Sequence, residues 1–253
     1  MQKRGQATIF IILGLLILIV SGVIYYTLSY IKETNIEKEA LKKQLPSQIE
    51  PIGKFIDECL YSTSIAGTYL IAVKGGYYNT PISYIDTESI DIAYYSFKGK
   101  DVSPTLTQIE NNLGEFIKEA LPLCLQNFSK FESFKITPGA LTPDVKINNE
   151  NINIDIKYPI KIEKDNAYYE INTFSTIVPL RLGYLHSVAK EVVKREIKES
   201  GYVPITYLKR TGLDVSLTDY KEDILIYSLT DEESSINDIP FTLIFANKFQ
   251  EEK

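Results

Sequence analysis

Few side chains in this sequence have the type and spacing to do chemistry. His186 is the single histidine, and it follows Leu185 in a stretch with helical periodicity. An imidazole works as a general base only with a nucleophile or acid within hydrogen-bond reach. Nothing nearby in sequence supplies one, so the expectation is a surface or boundary histidine. Cys59 and Cys124 are the two cysteines, in neither CxxC nor His-paired spacing, which argues against zinc. The run Asp231-Glu232-Glu233-Ser234-Ser235-Ile236-Asn237-Asp238 is rich in oxygen ligands. It lacks the EF-hand order and its central glycine, so a solvated hairpin tip is expected. Asp214, Asp219, Glu222 and Asp223 read the same way, and no spacing selects a carboxylate pair suited to sugar hydrolysis. Asn127-Phe128-Ser129 is the one N-glycosylation sequon, on a segment expected to be helical, which disfavours its use. There is no P-loop glycine pattern, no dinucleotide fingerprint and no HExxH. These residues point to no catalytic group, no metal and no cofactor, and so to a non-enzymatic protein.

The elements that would position these residues begin with an uncharged run. Gly5 to Ile31 carries no charge and is fenced by Lys3 and Arg4 before it and Lys32 and Glu33 after it. About 20 apolar residues in an α-helix cross the ~30 Å hydrocarbon layer. Tyr25, Tyr26 and Tyr30 gather at its far end, where phenol rings favour the headgroup zone. The expectation is a transmembrane helix, with a stalk over residues 32–46 ended by Pro46. The basic amino end favours staying inside the cell, and long C-terminal domains translocate largely regardless of charge. The following domain is therefore expected outside.

Lys3-Arg4-Gly5-Gln6, followed at once by the apolar run, resembles an archaeal class III (type IV prepilin-like) leader. The resemblance covers about the first 30 residues. It implies cleavage between Gly5 and Gln6, with Thr8 at the small hydroxyl position. Phe10 stands where pilins usually carry the Glu that registers one subunit against the next. The whole chain is also similar to uncharacterised single-span archaeal surface proteins, a likeness that implies no activity.

Of the 253 residues, 44% are hydrophobic and 24% charged, the balance of a folded protein. Up to Pro46 six Lys/Arg meet three Glu, a net of +3; the other 21 basic residues face 30 acidic ones, a net of −9. An acidic domain repels phosphate backbones, so nucleic acid is disfavoured as a partner. The expected partners are the lipid bilayer and other surface or envelope proteins.

Within residues 47–253, Ile52, Ile56, Cys59, Thr63, Ala66, Leu70 and Val73 step by four and three, the spacing of one helical face. That predicts a helix over 47–74, stopped by Gly75-Gly76. Residues 90–97 read as a strand. Thr107-x-x-Glu110 has the form of a capping box opening a second helix to about Phe131. Its stripe is Ile109, Leu113, Phe116, Ala120, Cys124 and Phe128, with Pro122 as an expected kink. Both cysteines lie on apolar helix faces, and an oxidising exterior would close a Cys59–Cys124 bridge. Strands are expected at 145–147, 152–157, 160–164 and 168–178, with a break at Lys157-Tyr158-Pro159. A third helix is expected over 182–200, with the apolar face Leu185, Val188, Ala189, Val192, Val193 and Ile197. Further strands are expected at 213–218, 223–229 and 241–249.

The predicted fold is thus α+β: an N-terminal transmembrane helix and stalk (1–46), then one extracytoplasmic domain (47–253) of amphipathic helices on a single, mostly antiparallel sheet. The expected function is that of a membrane-anchored surface protein making protein–protein contacts, as a pilin-like or envelope component. The alternatives are a tethered ligand- or glycan-binding module, which requires a tyrosine-lined pocket, and a carboxylate-based surface enzyme, which requires two convergent carboxylates in a cleft.

Overall fold

The computed structural model describes residues 46–199, 202–221 and 223–249. The chain divides into two units, residues 1–50 and 51–253. The expected transmembrane helix, the stalk before Pro46 and the leader junction at Gly5 and Gln6 lie outside the described residues. Among the described residues no helix is long and apolar enough to cross a membrane. The longest of them, Glu50–Val73, carries Glu50, Lys54, Asp57 and Glu58 in its first nine residues, charges that lipid would reject. The expectation of a fold built on an N-terminal membrane helix is corrected accordingly. The described architecture is α+β, with four α-helices and two sheets among those residues.

The first helix, α1, spans Glu50–Val73. It ends where Gly75 and Gly76 take φ of +71° and +91°, which only glycine adopts without cost. There Gly75 N–H donates to the Ala72 carbonyl at 3.1 Å and Gly76 N–H to Ile71 at 2.6 Å, the paired bonds of a Schellman end. The expected face holds as far as Thr63 and then rotates. Ser64, Gly67, Thr68, Ile71 and Ala72 are buried, whereas Ala66 and Leu70 are exposed. Small side chains explain the change, because they let another helix come close.

Strands β1 (Tyr84–Asp86), β2 (Asp91–Phe97) and β3 (Lys100–Asp101) follow, then that second helix, α2, at Leu106–Leu125. Its capping box is Thr105 with Gln108, two residues before the expected Thr107 and Glu110. Thr105-x-x-Gln108 offers the same chemistry immediately after Pro104. Glu110 instead turns inward, where its carboxylate accepts from Ile147 N–H at 3.0 Å. The buried row is Ile109, Leu113, Ile117, Leu121 and Leu125, with Phe116, Ala120 and Cys124 on its half-buried flank. A Cβ on Gly67 would lie 2.4 Å from Phe116 Cδ1, so glycine is required for this crossing. Cys59 of α1 and Cys124 of α2 are disulfide-bonded, with Cα atoms 5.8 Å apart. One helix rises from 59 to 67 as its neighbour falls from 124 to 116, so the two run antiparallel.

The second helix does not continue to Phe131. Gln126, Asn127 and Phe128 have φ of +46°, +51° and +58°, turning the chain through a 3-10 segment at Gln126–Phe131. Then come β4 (Lys135–Pro138), β5 (Thr142–Ile147), β6 (Ile152–Lys164) and β7 (Ala167–Val178). The break expected at Lys157-Tyr158-Pro159 is instead a bulge inside β6, since the register to β7 shifts there while pairing resumes at Ile160. Tyr158 is buried at the bulge and keeps the strand attached. Asp165 and Asn166 both take positive φ, as a two-residue hairpin turn demands.

Helix α3 (Leu182–Lys198) and the short α4 (Ile205–Leu208) lead to β8 (Asp214–Lys221), β9 (Ile224–Ile236) and β10 (Ile239–Lys248). The single sheet expected from sequence is in fact two. The first has the order β1-β2-β10-β9-β8 with β3 beside β2; the second consists of β4–β7. The reason lies in β10, which returns parallel to β2 and completes the first sheet with strands from both ends of the unit. Helix α3 packs on this sheet, and α2 covers β5 of the second. Strand β2 is buried on both faces. Ile92 and Tyr94 join Ile85, Ile224 and Ala246 on one side, while Tyr95 stacks on Phe245 at 4.6 Å on the other.

Candidate functional site

Beneath α3 lies a group of buried polar side chains, His186, Glu196, Ser96 and Asn247. Helical spacing puts Leu182, His186, Ala189, Val193 and Glu196 on one face, and all are buried. Glu196 is 3% exposed. Its carboxylate accepts from the Tyr227 hydroxyl on β9 and from Asn247 Nδ2 on β10 at 2.5 Å. Asn247 Oδ1 in turn accepts from Ser96 N–H on β2 at 2.9 Å. One carboxyl therefore joins the helix to three strands. Burial pushes Glu196 up to about pH 7, against the two donors, which pull it down. Burial raises the Tyr227 phenol well above its ordinary range, and the Glu196 carboxyl adds to the shift.

Nearly three turns earlier on the same helix, His186 Nε2–H donates to the Pro104 carbonyl at 2.7 Å. The ring faces Tyr95, with centroids 6.3 Å apart. Burial lowers its pKa, only partly offset by that hydrogen bond. The expected surface or boundary histidine is thus a buried one, because Pro104 at the entry to α2 covers it. Tyr95 is fully buried, and among the described residues its hydroxyl finds no hydrogen-bond partner. Tyr95, Phe245 and Tyr227 form a continuous ring stack. The cluster can hold or release a proton at Glu196, but it is closed to a substrate by its own packing.

The acidic run from Asp231 to Asp238 is not a solvated tip. Residues up to Ile236 extend β9, with the register to β10 shifting between Pro240 and Phe241. Only Asn237 and Asp238 form the turn, both at positive φ. Asp231 continues the inward alternation of Tyr227 and Leu229 and is fully buried. Arg181 meets it as a fork, Nε to Oδ2 at 2.7 Å and a terminal nitrogen to Oδ1 at 2.5 Å. The third guanidinium nitrogen lies 2.9 Å from Glu233, and Arg181 N–H donates to Ser234 Oγ at 3.0 Å. This pairing locks the start of α3 to β9. Sequence reading passed over both Arg181 and Glu196. The signal was present, since each acid sits in phase with an apolar face, at period 2 for Asp231 and at helical period for Glu196.

The remaining candidates are dispersed. Asp223 pairs with Lys248 at 2.9 Å, Asp214 and Asp219 lie exposed on β8, and Glu222 is outside the described residues. Asn127 sits exposed in the 3-10 segment after α2, with left-handed rather than helical φ/ψ. Among the described residues no group of three His, Cys, Asp or Glu side chains could hold a metal ion. An open cavity of about 410 Å³ lies between Glu132–Lys135 and Glu163–Tyr168. Tyr168 is its one tyrosine, and charged side chains dominate its rim. No protein-family model, curated protein or solved structure matches the chain.

Proposed function

We propose that this chain is a membrane-anchored extracytoplasmic surface protein whose α+β domain makes protein–protein contacts, by strand addition to β7. The observation that carries the reading is the outer edge of that strand. β7 is 12 residues long, and among the described residues it pairs only with β6. Natural sheets protect such edges with charges, prolines or short length. The other outer strands follow that rule. β8 carries Asp214, Asp219 and Lys221, β1 has three residues, β4 ends in Pro138 and β5 contains Pro143. β7 has no proline, no lysine and no arginine, and Glu170 is its only charge. Near its ends Tyr168 and Ile177 are 75% and 59% exposed. An extended segment of a neighbouring surface protein laid along this edge gains main-chain hydrogen bonds, and the two apolar side chains give it grip.

The Cys59–Cys124 bridge supports the extracytoplasmic placement, since disulfides persist where the compartment is oxidising. The uncharged sequence run Gly5–Ile31 supports the anchoring. The test replaces Ile177 with cysteine in the full chain and treats intact cells with a membrane-impermeant, thiol-directed photo-crosslinker. Labelling of the chain, followed on illumination by an adduct with a second protein, is the expected result. A chain left unlabelled until cells are broken defeats the placement; a labelled chain that yields no adduct defeats contact through β7.

A further inference from the structure

We propose that Asn127 is an N-glycosylation site, a modification that rests on the extracytoplasmic reading. A transferase must reach both the Asn amide and the hydroxyl two residues on, and a helix would hold those groups against its own turns. Here α2 stops at Leu125, and three consecutive left-handed residues, Gln126, Asn127 and Phe128, throw the chain outward. The middle residue of the sequon acts as the anchor. Phe128 is 5% exposed and belongs to the core, so its neighbours on either side turn to solvent. Asn127 and Ser129 are both exposed, and neither side chain has a hydrogen-bond partner among the described residues. Lys130 and Phe131 pack on Phe55, at 4.7 Å and 5.6 Å from its ring centre, which fixes the segment so that the sequon stays presented. Cys124, three residues earlier, is already committed to the disulfide, placing the turn where oxidation and glycan transfer can occur on the same side of a membrane.

The donor class is an oligosaccharide carried on a polyprenyl phosphate or pyrophosphate. The Asn127 amide nitrogen forms a bond to the anomeric carbon as the bond from that carbon to the phosphate oxygen breaks. The lipid phosphate leaves with the electron pair, and the amide proton passes to a base of the transferase. No oxidant or reductant is needed.

The full chain is isolated from its own cells, reduced and digested, and the peptide from Glu119 to Lys130 is weighed. A saccharide mass increment on Asn127, lost in N127Q and in S129A but retained in S129T, is the expected result. The same cells carry a cysteine at Ile177 for labelling by the impermeant reagent, which reads the compartment separately. A surface-labelled chain with an unmodified peptide overturns the glycosylation alone. An unmodified peptide on a chain shielded from the reagent overturns both this inference and the placement beneath it.

Discussion

The Glu196 carboxyl accepts a hydrogen bond from the Tyr227 hydroxyl beneath α3, with Tyr227 fully buried and Glu196 nearly so. Since Asn247 donates to the other carboxyl oxygen and also reaches Ser96, one side chain sets the height of a helix above β2, β9 and β10. A buried polar network of this kind is costly when incomplete and specifying when complete.

A pH dependence follows. Burial raises Glu196 to about 7 in the fold, against ~4.3 for an unperturbed glutamate. A carboxyl raised on folding binds its proton more tightly in the native state, so its contribution is whole below the unfolded value and falls away as pH rises through about 7. His186 works in the opposite sense. Its lowered pKa means that stability is lost as pH drops below the unfolded value. Urea unfolding of wild type and E196Q at intervals from pH 5 to 8 separates the two. The wild-type stability minus that of E196Q should fall by roughly 3 kcal/mol across this range. A constant difference would mean that Glu196 does not change protonation in the folded core.

How much of this was legible beforehand depends on the range of the interaction. The helical spacing of Cys59 and Cys124 put both on apolar faces, and the disulfide joins those same faces. Gly75-Gly76 marks the end of α1 because positive φ is a local property. The Asp231 and Glu196 carboxylates escape a sequence reading for a different reason. The run holding Asp231 reads as a solvated tip and Glu196 draws no reading at all, although each acid is in phase with buried neighbours and needs only a distant partner, Arg181 or Tyr227. Division into two sheets depends on β10 finding β2 in parallel, about 150 residues away, and no local pattern encodes that choice. In the same way, Gly67 became a helix contact only once Phe116 was known to lie against it.

That contact gives a second prediction. Alanine at Gly67 gains about 1 kcal/mol of helix propensity, but its Cβ would lie 2.4 Å from Phe116 Cδ1 and 2.8 Å from Leu113 Cδ1. Forcing the helices apart costs about 1–3 kcal/mol, so G67A should lower the denaturant midpoint. In an F116A background, where the ring is gone, the same substitution should be neutral or stabilising. Equal losses in both backgrounds would place the strain somewhere other than the crossing.

The Arg181–Asp231 pair should respond asymmetrically. Asp231 has no exposure, whereas the Arg181 side chain keeps 22% and touches Glu233 as well. R181A strands a buried carboxylate and should cost about 3–5 kcal/mol. D231A leaves a guanidinium that can turn to Glu233 and water, and should cost less, about 1–3 kcal/mol. A double variant, R181M with D231L, removes both charges and should recover most of the R181A loss. Thermal or urea unfolding of the three variants reads the order directly; equal single-variant losses would show that the pair acts through packing alone.

The last prediction concerns the disulfide. It closes a loop with a sequence separation of 65 residues, and in the chain-entropy model such a cross-link stabilises by about 4 kcal/mol. The mechanism acts on the unfolded chain, so the native packing of α1 on α2 should survive its removal: Gly67 still faces Phe116, and Leu113 still fills the space beside it. C59A with C124A should therefore keep the native near-UV spectrum while losing about 4 kcal/mol in guanidinium unfolding. If the spectrum collapses along with the stability, the bridge is holding the two helices together and their small-residue contact is too weak to do so alone. Combining the cysteine pair with G67A sharpens the distinction. Additive losses mean that bridge and crossing act independently; a loss well beyond the sum means that each helix contact depends on the other to align the pair.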